Sequence, residues 1–99
     1  MQIIVTATTK QKLKQIFDYY EAASSKRIAE SITNDIVGAT EILIDQPFAG
    51  QIEEFLVELG LEHRRIVEGN YKIIYRIHNN IIYITDIFDT RQNPEKMKR

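Results

Sequence analysis

The sequence predicts an α+β fold: a small, twisted, mainly antiparallel sheet with two N-terminal helices packed on one face. Three observations lead there. Residues 63–91 alternate apolar with polar side chains and are punctuated by Gly69-Asn70 and Asn79-Asn80. Such two-residue links suit tight hairpins, because Gly and Asn tolerate positive φ, so this stretch reads as a three-stranded meander. Residues 13–43 instead carry apolar side chains three and four apart, the period of a helix face. Ahead of them QIIVTA, residues 2–7, supplies a short apolar first strand. Strand, two helices, then three strands is an order that segregates helices to one side of a sheet.

Each element has its own local signals. Thr8 with Gln11 has the spacing of a capping box. It introduces a first helix with Leu13, Ile16, Phe17 and Tyr20 along one stripe. The break at Ala23-Ser24-Ser25 offers polar caps for a second helix, expected from Lys26 to Asp45. That helix should bury Ile28, Ala29, Ile32, Ile36, Ala39 and Leu43. Gly38 inside it costs about 1 kcal/mol relative to Ala, which implies close packing at that point. Pro47 biases Gln46 away from helical geometry, so Gln46-Pro47-Phe48-Ala49-Gly50 ends the helix. Ile52, Phe55, Leu56 and Leu59 have helical spacing, and Gly60 can cap them. A short helix or turn is expected there, with Glu53, Glu54 and Glu58 on a solvated face. Val37, Ile42 and Ile44 are either core or contacts for an amphipathic partner segment. Residues 92–99 read as a loose basic tail on a chain that forms one domain, 1–99.

Composition excludes several function classes. With 99 residues the core is real but small. Hydrophobic residues at 43% and charged ones at 27% argue for a globular protein. The absence of Cys removes disulfides and Cys-ligated zinc, and two His leave little for a transition metal. No Gly-rich loop suggests nucleotide binding, so no cofactor is expected. No apolar run approaches the ~20 residues that cross a bilayer, and the N-terminus lacks the charged lead of a signal peptide. The expectation is a soluble cytoplasmic protein without a membrane partner. The net charge of −1 hides an asymmetry. Residues 1–62 hold 5 Lys/Arg against 10 Asp/Glu, whereas residues 63–99 hold 8 against 4. A basic meander can attract a polyanion even on a slightly acidic protein, although a solvated strand face has the same composition.

Counting outward from the two turns sorts the meander into faces. Glu68 faces Tyr71, Ile66 faces Ile73, Arg65 faces Ile74 and His63 faces Arg76; beyond the second turn, Arg76 faces Tyr83 and Tyr75 faces Ile84. One face then holds Ile66, Tyr71, Ile73, Tyr75, Ile77, Ile82, Ile84 and Phe88. The other holds His63, Arg65, Lys72, Arg76, His78 and Tyr83, a place for an anion. Arg64 and Asp86 fall on the apolar face, which calls for a rim position, a mutual pair, or a bulge that shifts the register.

From Ile3 to about Pro94 the chain resembles the RelE/ParE family, toxins of bacterial type II toxin–antitoxin and plasmid stabilisation systems. The resemblance rests on the two-helix lead, on Leu43…Pro47…Gly50, on the run from Arg64 to Ile77, and on the late Arg91. It implies growth arrest relieved by a cognate antitoxin. RelE-like members cut mRNA on the ribosome without metal, whereas ParE-like members inhibit DNA gyrase and need no hydrolytic centre. Carried over by position, His63, Arg65, Lys72 and Arg91 would be catalytic; on the ribonuclease reading Arg76, Tyr83 and Lys96 would bind RNA, Tyr83 either stacking on a base or merely covering the sheet. Fixed cations would stabilise the charge that gathers on a scissile phosphate, and a base such as His63 would take the 2′-hydroxyl proton. The chain departs from the ribonuclease pattern in two ways. Lys72 stands where an Arg is common, and no Tyr follows Tyr83, with Met97 near the expected place. The basic face puts the ribonuclease reading first. The incomplete acid–base set keeps gyrase inhibition, or a member that only binds an antitoxin, as alternatives.

Overall fold

The computed structural model describes residues 1–98. β1 (Gln2–Val5) leads into α1 (Ala7–Ala23), α2 (Lys26–Ala39) and the single turn α3 (Ile42–Asp45). A two-residue strand, β2 (Gln51–Ile52), and a 3-10 helix (Glu54–Leu59) precede the meander of β3 (Arg64–Glu68), β4 (Tyr71–His78) and β5 (Ile81–Asp89). A second 3-10 helix spans Pro94–Lys98. The strands form one sheet in the order β1-β5-β4-β3-β2. β1 lies parallel to β5, and the other pairings are antiparallel. This is the expected α+β layer, with β2 as an addition.

The main core lies between the helices and one sheet face. Ile36 and Leu43 meet Tyr71, Ile73, Tyr75, Ile82, Ile84 and Ile87, with Leu13, Ile16 and Ile32 packed against them. Helix starts and stops differ from expectation. Thr6, not Thr8, caps α1, because its hydroxyl accepts from the Thr9 N–H while both threonine hydroxyls reach the Ile84 carbonyl. The helix expected over Lys26–Asp45 breaks after Ala39 and resumes at Ile42, so Leu43 still falls on the buried stripe. Gly38 faces open space rather than a close neighbour, and Ile28 is exposed. Val37, Ile42 and Ile44 are exposed too, lying to either side of the buried Ile36 and Leu43.

The turn-based register holds between β3 and β4 from Glu68–Tyr71 out to Arg64–Tyr75, and between β4 and β5 from His78–Ile81 out to Tyr75–Ile84. It fails further along β5. Tyr75 pairs with Ile84 but Ile74 pairs with Asp86, so Thr85 is an extra residue in a bulge. A bulge turns every later side chain over. Ile87 therefore enters the main core, and Phe88, expected there, moves to the opposite face beside Ile74. Of the two misfits, Asp86 pairs with Lys12 of α1 at 3.1 Å. Arg64 donates to the Gly50 carbonyl at 2.8 Å, its guanidinium 5.1 Å from the Phe48 ring centre.

The far face is not bare. Leu56 from the first 3-10 helix and Met97 from the second cover Ile74 and Phe88 in a smaller core, with Phe55 beside them. Of residues 92–99, expected to be loose, the described ones, 92–98, dock instead through Met97 and through Lys98, which pairs with Glu58 and Glu95. Arg99 lies outside the described residues.

Candidate functional site: the basic face of the sheet

β3 and β4 place Arg65, Lys72 and Arg76 on the face turned away from the main helices, and β5 sets Tyr83 opposite Arg76. The pleat that buries Ile73 and Tyr75 against the helices sends these alternate residues outward. At the centre lies a residue that the sequence reading assigned to a solvated face. Glu53 is 0% exposed. Its Oε1 is 2.9 Å from Lys72 Nζ and 3.6 Å from Arg65 Nη1, and its Oε2 accepts the Phe55 N–H at 3.1 Å.

Local structure explains how the carboxylate gets there. β2 pairs Gln51 with Arg65 and Ile52 with Arg64, so the chain enters alongside β3. Glu53 N–H then donates to the His63 carbonyl at 2.8 Å, and Glu53 caps the 3-10 helix that follows. A lone buried carboxylate would cost several kcal/mol, and two cations plus a backbone donor offset that cost. Arg65 is fixed further by the Ile52 carbonyl at 2.8 Å and Gln51 Oε1 at 3.1 Å. Lys72 Nζ sits 5.8 Å from the centre of the Phe55 ring.

The remaining candidates divide into two places. His63 joins the basic face but is only 8% exposed, and its Nδ1 has no hydrogen-bond partner. Burial, and then the nearby Arg76 charge, push its pKa below the ordinary value, so the imidazole is neutral near pH 7. Arg76 Nε is likewise buried without a partner. His78 is exposed at the β4–β5 turn, and Lys96 is on the outer side of the last 3-10 helix.

Arg91 belongs elsewhere. It forks onto Asp89, with Nε 2.9 Å from Oδ1 and Nη2 2.8 Å from Oδ2, and holds the Asp89 carboxyl below the usual range. It lines a cleft of about 460 Å³ with Lys12, Gln15 and Tyr19 of α1, on the helix side of the sheet. Tyr20 and Tyr71 adjoin it. The Tyr71 hydroxyl is pushed up by burial and by Tyr20, while Tyr20 is pushed down by Tyr71 and Arg91. The fold thus brings His63, Arg65, Lys72, Arg76 and Tyr83 onto one face and puts Arg91 on the other.

No group of three or more His, Cys, Asp or Glu side chains among the described residues is arranged to hold a metal ion. No helix among them is long and apolar enough to cross a membrane.

Comparison with known proteins bears on the same architecture. A search of curated proteins found no match. Among solved structures, a chain from the chromosomal ParDE toxin–antitoxin system of P. aeruginosa superposes with a TM-score of 0.76 at 20% identity. The superposition covers 90% of this chain and 95% of that one, and at such identity it speaks for the fold. Residues 3–94 match the family model described as the ParE toxin of the type II toxin–antitoxin system, parDE. With that model spanning nearly the whole chain, from β1 to the start of the last 3-10 helix, this protein belongs to the ParE toxin family and is the toxin of a type II system, with a cognate antitoxin as its partner.

Proposed function

We propose that this toxin arrests growth by binding and inhibiting DNA gyrase in the cytoplasm, without a hydrolytic centre or a cofactor of its own. The observation that carries this reading is the Glu53 carboxylate, fully buried against Lys72 and Arg65. A ribonuclease needs its cations free to meet the charge that gathers on a scissile phosphate. Here the Glu53 side chain already engages two of them. His63 is enclosed, Arg91 is bound to Asp89 on the other side of the sheet, and no tyrosine follows Tyr83. Membership of the ParE family favours the same reading. The order of preference taken from the sequence, ribonuclease before gyrase inhibitor, is therefore reversed.

One observation favours the ribonuclease reading: Arg65, Lys72, Arg76 and His63 do share a face. Inducible expression in a bacterial host separates the two. Wild type and the Lys72→Ala/Arg91→Ala double variant are compared, with mRNA 5′ ends mapped during arrest. The gyrase reading expects arrest, intact messages and a DNA-damage response, retained in the folded double variant. New cuts inside translated messages, lost in that variant, would establish ribosomal cleavage instead.

A further inference from the structure

The segment between β2 and β3 keeps few of its apolar side chains inside. Leu56 alone among them is buried, and with Phe55 beside it covers the far face of the sheet. Val57, Leu59 and Leu61, within five residues of chain, are 58%, 50% and 44% exposed. Single exposed apolar side chains are ordinary, but a cluster of them rimmed by polar residues marks a surface for a protein partner. Resting on the gyrase reading, we propose that this tip, with Glu54 and Glu62 beside it, is the surface that docks on DNA gyrase, where it enters an apolar pocket with a basic rim.

Backbone, shape and charge favour a folded, DNA-handling enzyme as the occupant. Gly60 and Glu62, at φ of 70° and 54°, turn the chain sharply on either side of Leu61. Glu62 is no glycine, and holding its side chain in the left-handed region costs energy of the kind that collects at functional surfaces. A convex apolar tip needs a concavity opposite it, which a large folded protein supplies. A short peptide segment instead lies in a groove or along a sheet edge of the domain that binds it. The charge beside the tip is negative. Glu54, Glu58 and Glu62 are all exposed on this segment. Lys98 of the last 3-10 helix pairs with Glu58 and Glu95, whereas Glu54 and Glu62 enter no ion pair among the described residues. Even with Lys96 counted, residues 54–62 and 94–98 hold four carboxylates against two ammonium groups. An enzyme that grips DNA carries lysine and arginine along the DNA path, the complement of such a rim.

The purified full chain is compared with Val57→Ser/Leu61→Ser and with Glu54→Lys/Glu62→Lys. Each is titrated into the supercoiling of relaxed plasmid by purified gyrase, with thermal unfolding and binding of the cognate antitoxin measured in parallel. Both variants should need roughly tenfold more protein for half inhibition, the loss expected when a central contact of an interface is removed. Their unfolding midpoints and antitoxin binding should stay at the wild-type level, because the altered side chains lie outside the core. Undiminished inhibition by either folded variant would overturn the assignment of this surface alone. A wild type without effect on gyrase would overturn the gyrase reading and this assignment with it. Loss of antitoxin binding, with or without loss of inhibition, would give the tip to the antitoxin and overturn the assignment as well. Should the serine variant not fold, the charge variant, which leaves every apolar side chain in place, decides by itself.

Discussion

Gly50 shows how much of this fold hangs on single contacts. A Cβ at that position would stand 2.6 Å from the Arg65 carbonyl oxygen and 2.7 Å from the Tyr75 ring. The close approach lets Gly50 N–H donate to the Tyr75 hydroxyl at 2.9 Å, while that hydroxyl donates to the Pro47 carbonyl at 2.8 Å. Backbone and a buried ring have no room to yield, so Gly50→Ala should cost about 2–4 kcal/mol in urea unfolding. Tyr75→Phe leaves the Gly50 donor and the Pro47 acceptor short of a partner and should cost about 1–3 kcal/mol. The Pro47-Phe48-Ala49-Gly50 segment was legible as a helix stop, yet its role as the socket for Tyr75 was not, because that contact spans 25 residues. His63 makes a pH prediction. Its folded pKa is depressed, so the unfolded chain takes up the proton first as pH falls. Its contribution is present above the unfolded value of 6.5 and is lost as pH drops below it. Urea midpoints measured at descending pH should therefore fall from about pH 6.5 downward more steeply in wild type than in His63→Gln. Equal slopes would count against a buried neutral imidazole.

Among the elements, β5 carries the least legible feature. Turn residues fix the pairing near each hairpin, so the count from Asn79-Asn80 is right as far as Tyr75 and Ile84. Nothing in the local sequence announces the extra residue at Thr85. What holds the bulge is distant: Thr6 N–H, the Thr6 hydroxyl and the Thr9 hydroxyl all reach the Ile84 carbonyl. Asp86, which fits the simple register badly, is the visible trace of it, whereas Arg64 keeps the expected pairing with Tyr75. Thr9→Val keeps the side-chain shape, removes a buried hydrogen bond, and should cost about 1–2 kcal/mol. An unchanged midpoint would separate the bulge from the α1 cap. The C-terminal 3-10 helix is a second case. Its sequence is polar and basic, and only Met97 ties it to the sheet core. One buried side chain in a charged segment gives no periodicity to read. Met97→Ala should cost about 2 kcal/mol and raise amide exchange in residues 94–98 and around Leu56. Exchange that stays unchanged there would contradict the docked arrangement.

At the scale of the whole molecule, the layer order was legible because helix and hairpin periods differ so plainly between the two halves. The basic face was legible as well, since strand alternation alone gathers Arg65, Lys72 and Arg76. Its state was not. Glu53 sits among Glu54 and Glu58 in a segment with weak helical spacing, where a carboxylate ordinarily meets water. Only the β2–β3 pairing, two residues long, turns it inward over the cations. That one placement turns the face from an open anion site into one where two of the cations already hold a carboxylate, and with it changes the reading of how the toxin acts. Supercoiling of relaxed plasmid by purified bacterial DNA gyrase, with the purified chain titrated in, tests this most directly. Dose-dependent inhibition is expected, reversed by the cognate antitoxin and retained by Lys72→Ala. Full supercoiling at every dose, by a chain that still arrests growth in cells, would contradict it.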